Sequence, residues 1–253
     1  MYLLHTPPST RYDLKFTLLG IPVRVHPFFW LMAFIFGASI ANLFYLLIWV
    51  VVVFVSILAH ELGHALAMRF YGRPAHIVLH LAGGLAVPES ERWGTGWANV
   101  ALSSRQEILI SLAGPCAGFS LAALVMVLVV AAGGTVVMST LYGLVPLPMA
   151  FLPAGGAFVN TVVGMFLWVN VFWGLINLMP VYPLDGGNIT RHLLIQIDPM
   201  DGVHKSLWIS TIAGAIVAVA GLLLFRSMYI AFLFALLTYE SYQLLQGRIG
   251  GRF

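Results

Sequence analysis

Between Phe28 and Ala59 the chain runs 32 residues without a charged side chain, and four later apolar stretches carry at most one charge each, Glu107 to Ala132, Phe158 to Met179, Ser206 to Phe225 and Met228 to Gln246. Runs of this length restrict the fold more than any motif does. About 20 apolar residues cross a bilayer as a helix, and in hydrocarbon an unmet backbone N–H or C=O is too costly to tolerate outside a helix or a closed barrel. Only 8% of the residues are charged and 60% are hydrophobic, with a mean hydropathy of +0.96, against roughly 25% charged in an ordinary soluble domain. The expected fold class is an all-α polytopic membrane protein.

As one helix the first run would reach roughly 48 Å, too long for a single span. A break is therefore expected near Gly37 to Asn42, "GASIAN", leaving a short first helix and a second that continues to about Tyr71. The count becomes about six transmembrane helices. No polar linker, repeat or low-complexity tract divides the chain, so residues 1–253 read as a single domain.

The net charge of +3 does not point to nucleic acid, because the twelve Lys and Arg residues cluster beside the apolar runs, where basic residues set membrane topology. With the N-terminus in the cytoplasm, all of them except Arg226 fall on the cytoplasmic side, and the C-terminus with Arg248 and Arg252 does too. The loop Gly133 to Ala157 carries no charge, as an external loop can. Cys116 is the only cysteine, which excludes an intrachain disulfide. Arg11, Lys15 and Arg24 precede the first apolar run and no small-residue cleavage site follows a short apolar core, so no removable signal peptide is expected.

Two segments have the period of strands. "LKFTLLGIPVRVHP" alternates Leu14, Phe16 and Leu18, then Ile21, Val23 and Val25, about Leu19-Gly20, and "HIVLHLAGGLAVPES" places β-branched residues on both sides of Gly83-Gly84. Both predict small membrane-associated β-hairpins, which must pair with each other, with protein or with a ligand.

The second apolar run ends in "LAHELGHALAMRFYG". His60 and His64 are four apart, so on a helix they share a face and their imidazoles can converge on one tetrahedral metal. Glu61 follows the first histidine, where it can serve as general base for water. This is the HExxH arrangement of zinc hydrolases. Ionisable groups at the end of a membrane span are costly and usually functional. The bland reading is a pair of helix histidines facing a loop. A catalytic zinc needs a third protein ligand, and Glu89, Glu107, Asp185, Glu240, His76, His80 and His192 have the chemistry. Asp185 stands out, because "NLMPVYPLDGGN" (Asn177 to Asn188) ends a span with two prolines and then offers a carboxylate backed by two glycines. Its bland reading is an N-cap for the helix that follows.

HELGH on the second span, paired with Asn177, Pro180, Pro183, Leu184, Asp185 and Gly186, resembles the site-2 protease family of intramembrane zinc metalloproteases. "GIPVRVHPFF" before the first helix, the Gly-Gly hairpin and "SLAGPCAG" (Ser111 to Gly118) extend the likeness over the chain. The compact six-helix branch that includes the sporulation sigma-factor processing protease is the most similar. The resemblance implies one zinc ion per chain held by His60, His64 and Asp185, Glu61 as base, and Asn177 holding or polarising the substrate backbone. Gly118 stands where that family usually has Asn. No PDZ module interrupts the chain, and no CBS domain is expected.

The function so implied is zinc-dependent endoproteolysis of transmembrane or membrane-associated proteins near the cytoplasmic face. The hairpin at Gly83 and Gly84 would receive the unwound substrate as an added strand. The implied partners are a single-pass or membrane-associated protein substrate, the lipid bilayer and a regulatory membrane protein, with no nucleic acid, and the implied setting is a prokaryotic cell membrane. A reading from another class is a metal-binding transporter or a catalytically silent scaffold. A transporter would carry ionisable residues along several spans, and here the spans hold few beyond Glu107 and Glu240 at their ends. A silent scaffold would be expected to have lost Glu61. Of the remaining residues, His76 and His80 read as solvated strand histidines, His192 and His204 as solvent-facing, Trp168, Phe172 and Trp173 as lipid-facing or core, and Cys116 as a poor nucleophile.

Overall fold

The computed structural model describes residues 7–88, 101–141, 143 and 145–250. Glu89, named above as a ligand candidate, and Arg252, named as a topology marker, lie outside them. The chain divides into two compact units, one formed by the residues before 101 with Ala113–Gly174, the other by Ala101–Leu112 with the residues from Leu175 onward.

In the first unit both expected hairpins are present, and they solve the problem of unpaired backbone together. β1 (Leu14–Leu18) and β2 (Ile21–Val25) are antiparallel. β3 (Ala75–His80) and β4 (Gly83–Pro88) are antiparallel as well. β2 and β3 pair in parallel, Val23 with Ile77 and Val25 with Leu79, to give one sheet in the order β1-β2-β3-β4. The first hairpin closes in two residues, and both are left-handed, Leu19 at φ 51° and Gly20 at φ 78°. That matches the twist of the flanking strands, though a leucine is an uncommon occupant. Arg69 secures the turn by donating from Nη1 to the Leu19 carbonyl at 2.8 Å.

The first apolar run breaks where its small and polar residues predict. α1 (Pro27–Phe36) begins with proline at its first position, and the His26 Nδ1 accepts the Phe28 N–H at 3.3 Å. α2 (Leu43–Phe70) is capped by Asn42, whose Oδ1 accepts from the N–H groups of Phe44 and Tyr45 at 2.9 and 3.3 Å. These caps meet N–H groups that no helical carbonyl can reach. Between them Gly37 lets the chain fold back, since a Cβ there would lie 2.5 Å from side-chain atoms of Leu46 and Trp49. Phe29, Ala33, Val25, Ile77 and Leu79 form the fully buried centre of this unit, with Val52 and Ile57 of α2 packed among them.

α3 (Ser104–Ala131) opens with a reciprocal cap. The Ser103 N–H donates to Gln106 Oε1 at 2.8 Å and the Gln106 N–H to Ser103 Oγ at 3.3 Å, the capping-box pattern. α4 (Gly156–Leu167) passes through π-helical turns (Trp168–Phe172) into α5 (Trp173–Asn177). Trp168 and Phe172 stack at 4.6 Å between ring centroids, and Trp168 is exposed, in keeping with a lipid-facing pair.

Among the described residues the apolar helices number near the expected six, five long and one short. The five are long and apolar enough to cross a membrane, and the first helix is not one of them. With 10 residues, α1 is about 15 Å long and covers only half of a hydrocarbon core of about 30 Å. The uncharged loop after α3 also holds a third hairpin, β5 (Thr135–Leu141) with β6 (Val145–Phe151), which the sequence reading did not include. Pro146 and Pro148 hid it. Spaced two apart, they withhold donors from one and the same edge of β6 and leave the other to pair.

In the second unit α7 (Gly202–Leu223) and α8 (Met228–Gly250) gather around Val181, Phe234 and Leu237, and α6 (Asp185–Ile197) packs on α7.

Candidate metal centre

α2 carries His60, Glu61 and His64, all buried. The two imidazoles meet edge to face, and their Nε2 atoms are 3.1 Å apart. Two nitrogens bound at 2.0–2.1 Å to one tetrahedral zinc stand roughly 3.3 Å apart, so the pair fits that metal without rearrangement. The helix pitch creates this meeting, and α3 shapes its surroundings. A Cβ at Gly114 would overlap His64 Nε2 and lie 2.8 Å from His60 Nε2, so only glycine lets that backbone come so near the donor atoms. Directly before His64, a Cβ at Gly63 would strike the Ala113 carbonyl and stand 2.9 Å from Ala117 Cβ, which sets how closely α2 and α3 approach.

Glu61 faces the sheet. A Cβ on Gly84 of β4 would overlap the glutamate Cγ and lie 2.6 Å from Oε1. Gly83, at φ 115°, opens the strand in a conformation that L side chains rarely adopt. β4 is the last strand of the sheet, with no further strand beside it among the described residues.

His80 differs from the solvated strand histidine expected. It is buried, its Nδ1 accepts the Ala82 N–H at 3.3 Å, and burial, helped by the charges of His26 and Arg24, lowers its pKa. The imidazole is therefore neutral with its proton on Nε2. His76 is half-buried on the same strand.

In the second unit Asp185 occupies the first helical position of α6, and the cap position is Leu184. The N-cap reading of this aspartate therefore fails. Its charge instead sits where the helix dipole favours a carboxylate. Glycines shape the approach here too. A Cβ on Gly186 would overlap the carbonyls of Leu178 and Met179, and one on Gly187 would overlap the backbone of Tyr182 and lie 2.5 Å from that of Val181. The preceding residues are held from both sides, since the Tyr182 N–H donates to Ser210 Oγ of α7 at 3.1 Å and Ser241 Oγ of α8 donates to the Tyr182 carbonyl at 3.2 Å. Both serines are buried. Sequence reasoning missed them, because a serine in an apolar helix carries no distinguishing spacing. Asn177 is buried at the end of α5. His192 is half-buried rather than solvent-facing, and His204 accepts from Trp208 Nε1 at 3.1 Å.

The model of peptidase family M50 matches residues 48–221, more than half of the chain and inclusive of every proposed ligand. A protein of Synechocystis sp. that carries a zinc metalloprotease name is 31% identical over 195 residues, 72% of this chain and 44% of its own length. The zinc metalloprotease MJ0392 of Methanocaldococcus jannaschii is 27% identical over 183 residues, 71% of this chain and 44% of its own. The chain thus spans less than half the length of these curated relatives. Among solved structures, the site-2 protease from Methanocaldococcus jannaschii superposes with a TM-score of 0.54 at 23% identity, covering 92% of this chain and 95% of that one. It shares the fold.

Proposed function

We propose, from the premise that the chain belongs to peptidase family M50, that it is a zinc-dependent intramembrane endopeptidase. Family membership and five long apolar helices make it an integral membrane protein. One observation carries the rest of the reading. Two imidazole nitrogens 3.1 Å apart lie on a membrane helix beside a buried carboxylate, and that carboxylate is pressed against an edge strand.

His60, His64 and Asp185 supply two imidazole nitrogens and one carboxylate oxygen as ligands, a donor set suited to a catalytic zinc with one open position. Bound zinc contributes Lewis acidity, polarising a carbonyl and making water ionisable near neutral pH. Glu61 takes the proton from the attacking water and delivers it to the leaving amide nitrogen. Asn177 hydrogen-bonds the substrate backbone. β4 receives the unwound substrate segment as an added strand, with Gly84 holding that strand at the base.

The substrates are single-pass or membrane-associated proteins cut near the cytoplasmic face, with both termini of this chain cytoplasmic and a membrane protein partner regulating access. The placement of the basic residues supports that orientation, and the setting that goes with it is a prokaryotic cell membrane. The test is a quantitative comparison of membrane proteins in cells carrying the wild-type chain or Glu61→Gln. Accumulation of an intact membrane protein and loss of its soluble fragment in the variant are expected. Identical profiles, with both proteins expressed and zinc-loaded, would replace the protease reading with that of a silent scaffold.

A further inference from the structure

Asn170 lies in the π-helical turns that follow α4, and it is 4% exposed. Its Nδ2 donates to Ser56 Oγ at 2.8 Å and to the Phe166 carbonyl at 2.9 Å. A carbonyl can only accept, so this end of the amide must be the nitrogen, and the orientation of the side chain is fixed. Oδ1 therefore points the other way, where it meets no hydrogen-bond donor among the described residues. Leaving a buried amide oxygen without a donor costs as much as a lost hydrogen bond or more.

Opposite that oxygen is Gly118 of α3. A Cβ there would stand 3.5 Å from the Asn170 backbone oxygen and 3.6 Å from its Oδ1, with nothing else within 4 Å. Two acceptors of a single residue thus stand in front of a stretch of α3 that carries no side chain. A molecule that fits must be small and must offer two donors. A metal cation would find two neutral oxygens and apolar walls, too little to replace its hydration. A substrate N–H brings one donor and a chain too bulky for the space.

We propose that Asn170 and Gly118 form a binding site for one buried water, which donates to both Asn170 oxygens. Ordered water is a recognised way to satisfy backbone and amide groups at helix irregularities inside a membrane. The placement gives the water a role. Ser56 is one turn before His60 on α2, and Gly118 is one turn beyond Gly114, whose backbone touches both imidazoles. Asn170 ties the π turns to α2 through Ser56, and the water fills the contact of Asn170 with α3 at Gly118, one turn away from the metal pair. They hold the spacing of α2 and α3 on which that pair depends, a role that rests on the reading of His60 and His64 as ligands.

The test compares Gly118→Ala with Gly118→Ser in the detergent-solubilised, metal-free protein, so that its outcome does not depend on proteolysis. Both side chains expel the water, but only serine replaces a donor. Gly118→Ala is expected to melt roughly 2–4 °C below Gly118→Ser, the reverse of their helix propensities. Equal midpoints, or the propensity order, would overturn the site. A high-resolution structure of the wild-type chain should show a water oxygen within about 2.7–3.2 Å of Asn170 Oδ1, and a protein donor in its place would equally overturn it. For the positioning role, Gly118→Ala should bind zinc several-fold more weakly than Gly118→Ser. Equal zinc affinity would remove that role.

Discussion

Gly84 and Glu61 are placed so closely that a single added methyl group on the strand would overlap the glutamate Cγ. The strand that borders the sheet therefore sets where the carboxylate stands. Gly84→Ala is expected to lower cleavage at least about tenfold, equivalent to roughly 1.4 kcal/mol in the barrier, while zinc content stays at the wild-type level. Zinc analysis of the purified variant beside a cleavage assay checks this. Loss of zinc in parallel with activity would mean that the strand shapes the metal pair rather than the base.

Gly114→Ala should act on the metal instead. Its methyl would overlap His64 Nε2 and crowd His60 Nε2 at 2.8 Å, so the rings must turn. The expected result is zinc loss at lower chelator concentration than wild type, read by competition with a colorimetric chelator.

Helix spacing can be separated from local helix propensity with two further glycines. Gly63→Ala drives a methyl into the Ala113 carbonyl, whereas a Cβ on Gly164 of α4 meets nothing within 4 Å. The first is expected to destabilise the chain by about 1–3 kcal/mol, as overpacking does, and the second to stabilise it by about 0.5–1 kcal/mol. Thermal unfolding of both variants decides the matter.

Ser210 and Ser241 bind the two sides of one residue, Tyr182, three positions before Asp185. Replacing either by alanine leaves a backbone group without its partner, at a cost of about 1–3 kcal/mol. Weaker zinc binding should accompany the lower stability if Asp185 is a ligand. Stability loss with unchanged zinc affinity would separate the loop from the metal.

His192 gives stability a pH dependence. Burial lowers its pKa below 6.5 and Arg191 adds to this, while Glu107 opposes it. The unfolded chain then takes up a proton before the folded chain does, so stability is complete above pH 6.5 and declines as pH falls through 6.5 toward the lower folded value. The unfolding midpoint should fall between about pH 7.5 and 5.5, the window of histidine titration, and His192→Gln should reduce that fall.

Much of this was legible in the residues themselves. Alternation about Leu19-Gly20 and Gly83-Gly84 located two hairpins, and Asn42 marked the start of α2, because caps and turns are written in one or two side chains. The HELGH spacing gave the imidazole pair, since helical pitch alone brings residues four apart together. The β5–β6 hairpin was hidden because Pro146 and Pro148 read as strand breakers unless the edge they face is known. The π turns at Asn170, and the serines that hold Tyr182, depend on contacts between residues far apart in the chain. No local pattern encodes them.

The shortness of α1 bears on the lipid around the protein. Phe28, Leu31, Phe34 and Ile35 are all exposed on a helix of 10 residues, so the bilayer meets an apolar flank about half as tall as itself. Lipid beside a short hydrophobic wall thins to match it, at a cost of fractions of a kcal/mol per Å. Where α1 borders lipid the headgroups are expected to be drawn inward, so that a neighbouring helix would find water at a depth where elsewhere it would meet only acyl chains.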